Sequence, residues 1–255
     1  MSRCLYRVDG LDVRLDGPDG PRPVLHDISL DIRAGEVVGV VGRSGVGKTT
    51  LLRVLGGLVE THCGTVTFDG TAVTRPPIGV VMVFQDYENA LLPWRTVARN
   101  TGLGLEGRIG RRERDSRVAE ALNMVGLGEH ARDYPWRLSG GMAQRVQIAR
   151  ALAVQPSVLL MDEPFGALDA ITKAALQDVL LEVQRKTGST IVFVTHDLDE
   201  AIYLGDRVVV VSGRPGVITL AVDTELPRTR DQLETRELSR YLAVRHLLGE
   251  ELRHG

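Results

Sequence analysis

Five short apolar runs punctuate the chain, at 37–41, 78–84, 158–161, 191–194 and 208–211. They are rich in valine and isoleucine and continuous rather than alternating, as strands are when both faces of a sheet are covered. Longer helix-compatible segments separate them, so the pattern predicts an α/β fold with a mostly parallel sheet. The first 35 residues are patterned differently. Residues 5–15 and 24–32 alternate loosely around the turn-rich stretch DGPDGPRP at 16–23, which predicts an antiparallel pair beside the main sheet. A strand over 36–41 then enters a glycine-rich turn and a helix over 48–55, and strands follow near 64–68 and 78–84.

From about 86 to 155 the strand signal disappears. Residues 91–102 and 113–125 read as helices, the second with Val118, Leu122 and Val125 on one face, and a third helix starts near Ser139. The expected organisation is therefore an α/β core over 1–85 and 156–222, an inserted helical lobe over 86–155 and a short, charged helical tail over 223–255. The core resumes with a strand over 157–162, a helix near 169–186 and strands over 190–195 and 207–211. No internal repeat is present.

Charge and cysteine content narrow the function classes. With 33 acidic and 31 basic side chains the net charge is −2, which argues against a surface basic throughout and so against a nucleic-acid partner. Two cysteines, Cys4 and Cys63, cannot build a disulfide scaffold and fit a reducing compartment. A chain of 255 residues buries a sizeable core without such staples. No apolar run approaches the ~20 residues of a membrane helix, and the opening stretch MSRCLYRVDGLDV lacks the apolar core of a signal peptide. Any service to a membrane is expected from its cytoplasmic face, through a partner.

Three motifs carry chemistry. The run Gly42, Arg43, Ser44, Gly45, Val46, Gly47, Lys48, Thr49 fits G-x-x-x-x-G-K-[ST] and lies between a buried strand and a helix, the context a phosphate-binding loop requires. Its glycines let backbone N–H groups face a phosphate chain, and the helix start behind them adds partial positive charge. Lys48 can reach the β- and γ-phosphates, and the Thr49 hydroxyl can bind Mg²⁺. In the second motif, four apolar residues at 158–161 lead to Asp162 and Glu163 at a strand's carboxyl end, where open α/β sheets bind ligands. Asp162 can hold Mg²⁺ through water, and its neighbour, pointing the other way, can polarise an attacking water. In the third, Ser139 is a good N-cap and Gly140 and Gly141 leave the helix start bare, making a second anion-binding helix end. Each has a plain structural alternative (a glycine-rich turn, solvated acids at a strand end, an ordinary capped helix), and it is their combination that favours function.

The run LSGGMAQRVQIARAL at 138–152 resembles the signature motif of ATP-binding-cassette ATPases. The segments GRSGVGKT and MDEP, in the same order, match that family, and the resemblance covers roughly 3–222. The strings VFQDYENALLPWRTV, FGALDA and SGRPGVI further resemble the subgroup serving nitrate, sulfonate and taurine importers. The resemblance implies ATP and Mg²⁺ as ligands, with Thr50 completing the phosphate-loop contacts. It implies that Gln85 meets Mg²⁺ and the water and senses the helical lobe, that Asp169 lies in a loop crossing between subunits, and that His196 contacts the γ-phosphate. It also implies a head-to-tail pair, with one ATP bridging Gly47–Thr49 of one copy and Ser139–Gly141 of the second. The further partners are membrane permease subunits and, indirectly, an extracytoplasmic solute-binding protein, with Tyr87, Leu92 and Trp94 lining a groove for a short permease helix.

The chain departs from the family at one place: the aromatic residue that stacks on adenine falls near Arg14 or Leu15, and neither is aromatic, while Tyr6 stands too early. The remaining histidines, His26, His62, His130, His246 and His254, read as surface, and no Cys/His cluster has metal-ligand spacing. The alternative is a soluble cassette ATPase of repair, translation or assembly. Repair relatives carry coiled-coil insertions, and the interval from Thr50 to Arg137 has no sustained heptads. Translation relatives usually join two cassettes, and 255 residues hold one.

Overall fold

The computed structural model describes residues 3–17, 20–86 and 90–254. The chain opens with two long strands, β1 (Cys4–Gly17) and β2 (Gly20–Arg33), paired antiparallel as their alternation predicts. β3 (Val37–Val41) leads into α1 (Lys48–Leu55), followed by β4 (Cys63–Phe68), the two-residue β5 (Thr71–Ala72) and β6 (Val80–Val83). Helices α2 (Val97–Thr101), α3 (Arg111–Met124) and α4 (Gly140–Ala153) come next. The chain then returns to strands with β7 (Val158–Asp162), α5 (Ala170–Thr187), β8 (Thr190–Val194), α6 (Leu198–Leu204), β9 (Arg207–Ser212) and β10 (Val217–Asp223), and ends in α7 (Glu234–Glu237) and α8 (Ser239–His254).

The strands form two sheets, ordered β2-β1-β4-β5 and β10-β9-β3-β8-β7-β6. In the second sheet every pairing is parallel except β9 with β10. Its continuous apolar runs follow from coverage on both faces. Val38, Val40, Leu160, Val192 and Val209 pack with the first sheet and α1, while Val37, Leu159, Met161, Phe193 and Val208 pack with the helices. The phosphate loop and His196 follow β3 and β8, and Asp162 ends β7, so all three stand at the carboxyl ends of adjacent parallel strands.

Four sequence expectations are corrected. The helix expected over 91–102 is confined to Val97–Thr101. Pro93 biases Leu92 away from helical dihedrals, and the Asn100 side chain holds 92–96 as a turn, accepting from Leu92 N at 2.8 Å and donating to Leu92 O and Arg95 O at 3.0 Å each. The strand expected over 78–84 starts at Val80, and Ile78 is exposed. An edge strand, β10, lies where no strand was expected, its Ile218, Leu220 and Val222 alternating with more exposed neighbours. The tail is helical as expected but is no mere charged appendage: Tyr241, Val244 and Leu248 of α8 are buried in the core.

Candidate nucleotide site

The phosphate loop fills residues 42–47 between β3 and α1. Gly47 is the N-cap of α1 with φ of 104°, and a Cβ there would stand 2.6 Å from Leu25 Cδ2, so glycine is required on both counts. No side chain caps α1 and no acid sits in its first turn, which leaves its first amides free for an anion. Lys48 is buried and its ammonium donates to Gly42 O at 2.8 Å and Arg43 O at 3.0 Å. Burial pulls its pKa down while Glu163 and Asp162 pull it up, and burial prevails. The Thr49 hydroxyl donates to Asp162 Oδ1 at 3.0 Å. Burial raises the Asp162 carboxyl above the usual range against that bond.

These residues face a cleft of about 330 Å³ lined by Ser44, Gly45, Gly47, Lys48, Thr49, Thr50, Gln85, Asp162, Glu163 and His196, with Val24 and Val194. Glu163 has φ of 48°, and its Oε2 stands 2.9 Å from His196 Nδ1. Behind His196, the Thr195 hydroxyl donates to buried Glu200, and Lys173 bridges Glu200 and Asp197 at 2.7 and 3.3 Å. Thr49, Asp162 and Gln85 offer the oxygen donors that Mg²⁺ prefers. Mg²⁺ is usually held by one or two carboxylates together with substrate phosphates rather than by a protein cage, and one carboxylate, Asp162, beside the phosphate loop fits that pattern.

Three loop residues do not line the cleft. Gly42 lies against Val211 O, Val46 is core, and Arg43 donates to Leu252 O at 3.2 Å and Arg253 O at 3.5 Å at the end of α8. The turn carrying SGRPGVI is tied to β2 through Gly216 N to Val24 O and His26 N to Gly216 O, both 2.9 Å, and Gly216 lies against Val46 O of the loop. Ser139, Gly140, Gly141 and Asp169 lie outside the cleft of their own chain. Ser139 caps α4 by accepting from Met142 N at 3.3 Å. Asp169 caps α5, its carboxyl held below the usual range chiefly by the N–H of Thr172 and also by that of Ile171. Neither Arg14 nor Leu15 lines the cleft, and Tyr6 is fully buried with its hydroxyl on Leu55 O at 3.1 Å, so it is a core residue and no base contact. Val24 was invisible to sequence reasoning, since an apolar strand residue carries no chemical signal. Tyr87 lies outside the described residues.

A phosphate loop on a parallel sheet, with acids at the next strand end but one and a second glycine-rich helix start on α4, capped by Ser139, defines the class: a phosphate-loop nucleoside triphosphatase with an additional signature helix. Residues 25–166 match the ABC transporter family, and the chain belongs to it as an ATP-binding-cassette ATPase. It is 46% identical over 226 residues to the aliphatic sulfonates import ATP-binding protein SsuB 1 of Xanthomonas axonopodis pv. citri, covering 88% of this chain and 89% of that protein. It is 43% identical over 246 residues to the nitrate import ATP-binding protein NrtC of Synechococcus elongatus, covering 94% of this chain but 37% of that protein. Among solved structures it resembles the dimeric, post-hydrolysis ATP-binding cassette MJ0796 bound to ADP and Pi, with a TM-score of 0.77, 30% identity, and coverage of 86% and 98%.

Proposed function

We propose that this chain is the ATP-hydrolysing subunit of an importer for a small solute of the nitrate, sulfonate or taurine kind. The observation that carries the reading is the single cleft joining the phosphate loop to Asp162, Glu163 and His196. The names of the relatives support the direction of transport and the solute class.

In this reading the loop amides and Lys48 bind the β- and γ-phosphates, and Thr50 adds a contact. Lys48 leaves Gly42 O and Arg43 O for the phosphates, and the acids beside it partly offset the burial that lowers its pKa. Thr49, Asp162 and Gln85 would hold Mg²⁺, which when bound neutralises phosphate charge. Glu163 orients and deprotonates the water, and His196, hydrogen-bonded to Glu163, stands ready to meet the γ-phosphate. Two copies pair head to tail, so that Ser139–Gly141 and Asp169 of the second copy complete the site; their place outside their own cleft supports this. Residues 86–155 act as a lobe that tilts on closure. Permease subunits dock on it and hold the protein at the cytoplasmic face, and a solute-binding protein feeds the permease. No helix among the described residues is long and apolar enough to cross a membrane.

The test is Glu163→Gln, which keeps shape and removes the charge. ATP binding should persist while turnover falls by about 10²–10⁴-fold, and the ATP-bound dimer should accumulate, read by size-exclusion chromatography. Turnover within a few-fold of wild type would show that Glu163 is not the base.

A further inference from the structure

Gln144 lies one turn into α4, 2% exposed, and its side chain reaches back to the segment that follows β7. Its Nε2 donates to Glu163 O at 3.1 Å, and its Oε1 accepts from Ala167 N at 3.1 Å. A carbonyl only accepts and an N–H only donates, so the two partners fix which way the amide points. The bonds span a turn whose first residue, Glu163, is held at φ of 48°, a conformation that side-chain-bearing residues occupy at a cost. On the same face a Cβ at Gly141 would stand 3.2 Å from both Ala167 O and Leu168 Cδ2, so the start of α4 rests against this turn. One turn further on, Gln147 Nε2 donates at 3.1 Å to the carbonyl of Asp86, the residue after Gln85. One helix therefore grips two of the segments that carry cleft residues out of the sheet, those after β6 and β7.

We propose that Gln144 is a positioning residue for hydrolysis: it holds the backbone of Glu163 so that its carboxylate faces the cleft, and it makes that position depend on how α4 sits. Gln144 touches neither the nucleotide nor the water. The proposal rests on the reading of Glu163 as the group that orients water. Its consequence is directional. Whatever moves the start of α4, including an anion at Ser139–Gly141, moves the clamp on Glu163 in the same chain. Phosphate binding through Lys48 and the loop amides does not involve the clamp, so its loss lowers kcat and leaves the affinity for ATP.

The diagnostic substitution in the full chain is Gln144→Glu, because its two protonation states differ only in the bond to Glu163 O. Protonated, the new carboxyl donates there and accepts from Ala167 N as the amide does; ionised, it sets a charge against a carbonyl. Burial disfavours ionisation, so the kcat ratio of variant to wild type should rise as pH falls from about 8.5 to about 6. Gln144→Leu lacks both bonds and should lose about 10²-fold in kcat at every pH, with KM for ATP within about twofold. Thermal melts identify any variant that does not fold, and Gln144→Met then replaces it in the comparison. A pH-independent ratio for Gln144→Glu, a rise in KM with kcat intact, or a folded apolar variant with wild-type kcat would each overturn the proposal. Glu163→Gln assayed alongside separates the two readings. If it hydrolyses ATP normally, the role of Glu163 falls; if it is inactive while Gln144→Leu is normal, only the clamp falls.

Discussion

At the residue scale, the cleft is well furnished for phosphates and poorly furnished for a base. Lys48, Thr49 and Asp162 are tied to each other or to the loop backbone and Glu163 to His196, and all were legible in the sequence because the chemistry needs those residue types at those spacings. No Phe, Tyr or Trp among the described residues lines the cleft; its apolar members are Val24 and Val194. Tyr6 is committed to the core against Phe68, with ring centroids 4.9 Å apart. A stacked aromatic contributes about 1–3 kcal/mol per base, and without one, binding rests on groups that ATP and GTP share. The two nucleotides should therefore bind within about tenfold of each other by isothermal titration. A hundred-fold preference for ATP would show a base contact that this cleft does not supply. What the sequence could not reveal at this scale were contacts made by backbone atoms or between segments distant along the chain. The Gln144 amide on Glu163 O and Ala167 N, and Arg43 on the end of α8, are of that kind.

At the scale of elements, the doubly covered strands were the easiest to read, because a strand buried on both faces must be apolar at every position. The elements that escaped were short or mixed. Helix α6 spans seven residues, too few to show a period, yet its last five are all buried and Asp197 caps it by accepting from Asp199 N at 2.9 Å. Strand β10 borders the sheet and alternates, so its signal resembles that of a polar tail. Helix α8 carries many charges, which masked the stripe of Tyr241, Val244 and Leu248 at helical spacing. That stripe makes α8 an integral part of the core, fixed further by the Tyr241 hydroxyl and Arg245, both 2.9 Å from Asp199 Oδ1. Leu248→Ala should accordingly cost about 2–5 kcal/mol in urea unfolding. Leu247→Ala, at a position 43% exposed on the same helix, should stay within about 0.5 kcal/mol. Equal, small losses for both would mean that α8 is detached from the core in solution.

At the scale of the molecule, the question raised by the proposed function is how events in the cleft would reach a partner in the membrane. Gln85 lines the cleft, the carbonyl of Asp86 is held by Gln147 of α4, and the turn over 92–96 is held by Asn100 of α2. Arg150 of α4 extends the grip to Ala90 O and Asn100 O, at 2.9 and 3.1 Å. The segment after β6 is thus bound to the helices at both its ends, and a shift of Gln85 on nucleotide closure would be passed to α2 and α4 together. Trp94 stands at the outer end of this path. It is 70% exposed and borders a groove of about 850 Å³ that Arg95, Arg99, Arg111 and Arg114 also line. Leu91, by contrast, is buried in the helical core, and Leu92 is half-buried. An exposed tryptophan at the rim of a groove is a typical interface anchor. Its exposure also means that truncation removes little packing, so Trp94→Ala should keep its melting temperature, with stability within about 0.5 kcal/mol of wild type. Basal ATP hydrolysis by the isolated protein should likewise be retained, because Trp94 lies outside the nucleotide cleft. In vesicles reconstituted with the cognate permease, the same variant should assemble poorly and transport little, with ATP turnover no longer stimulated by solute. Transport at the wild-type rate would remove Trp94 from the docking surface. A parallel fall in melting temperature and basal hydrolysis would make it a packing residue instead.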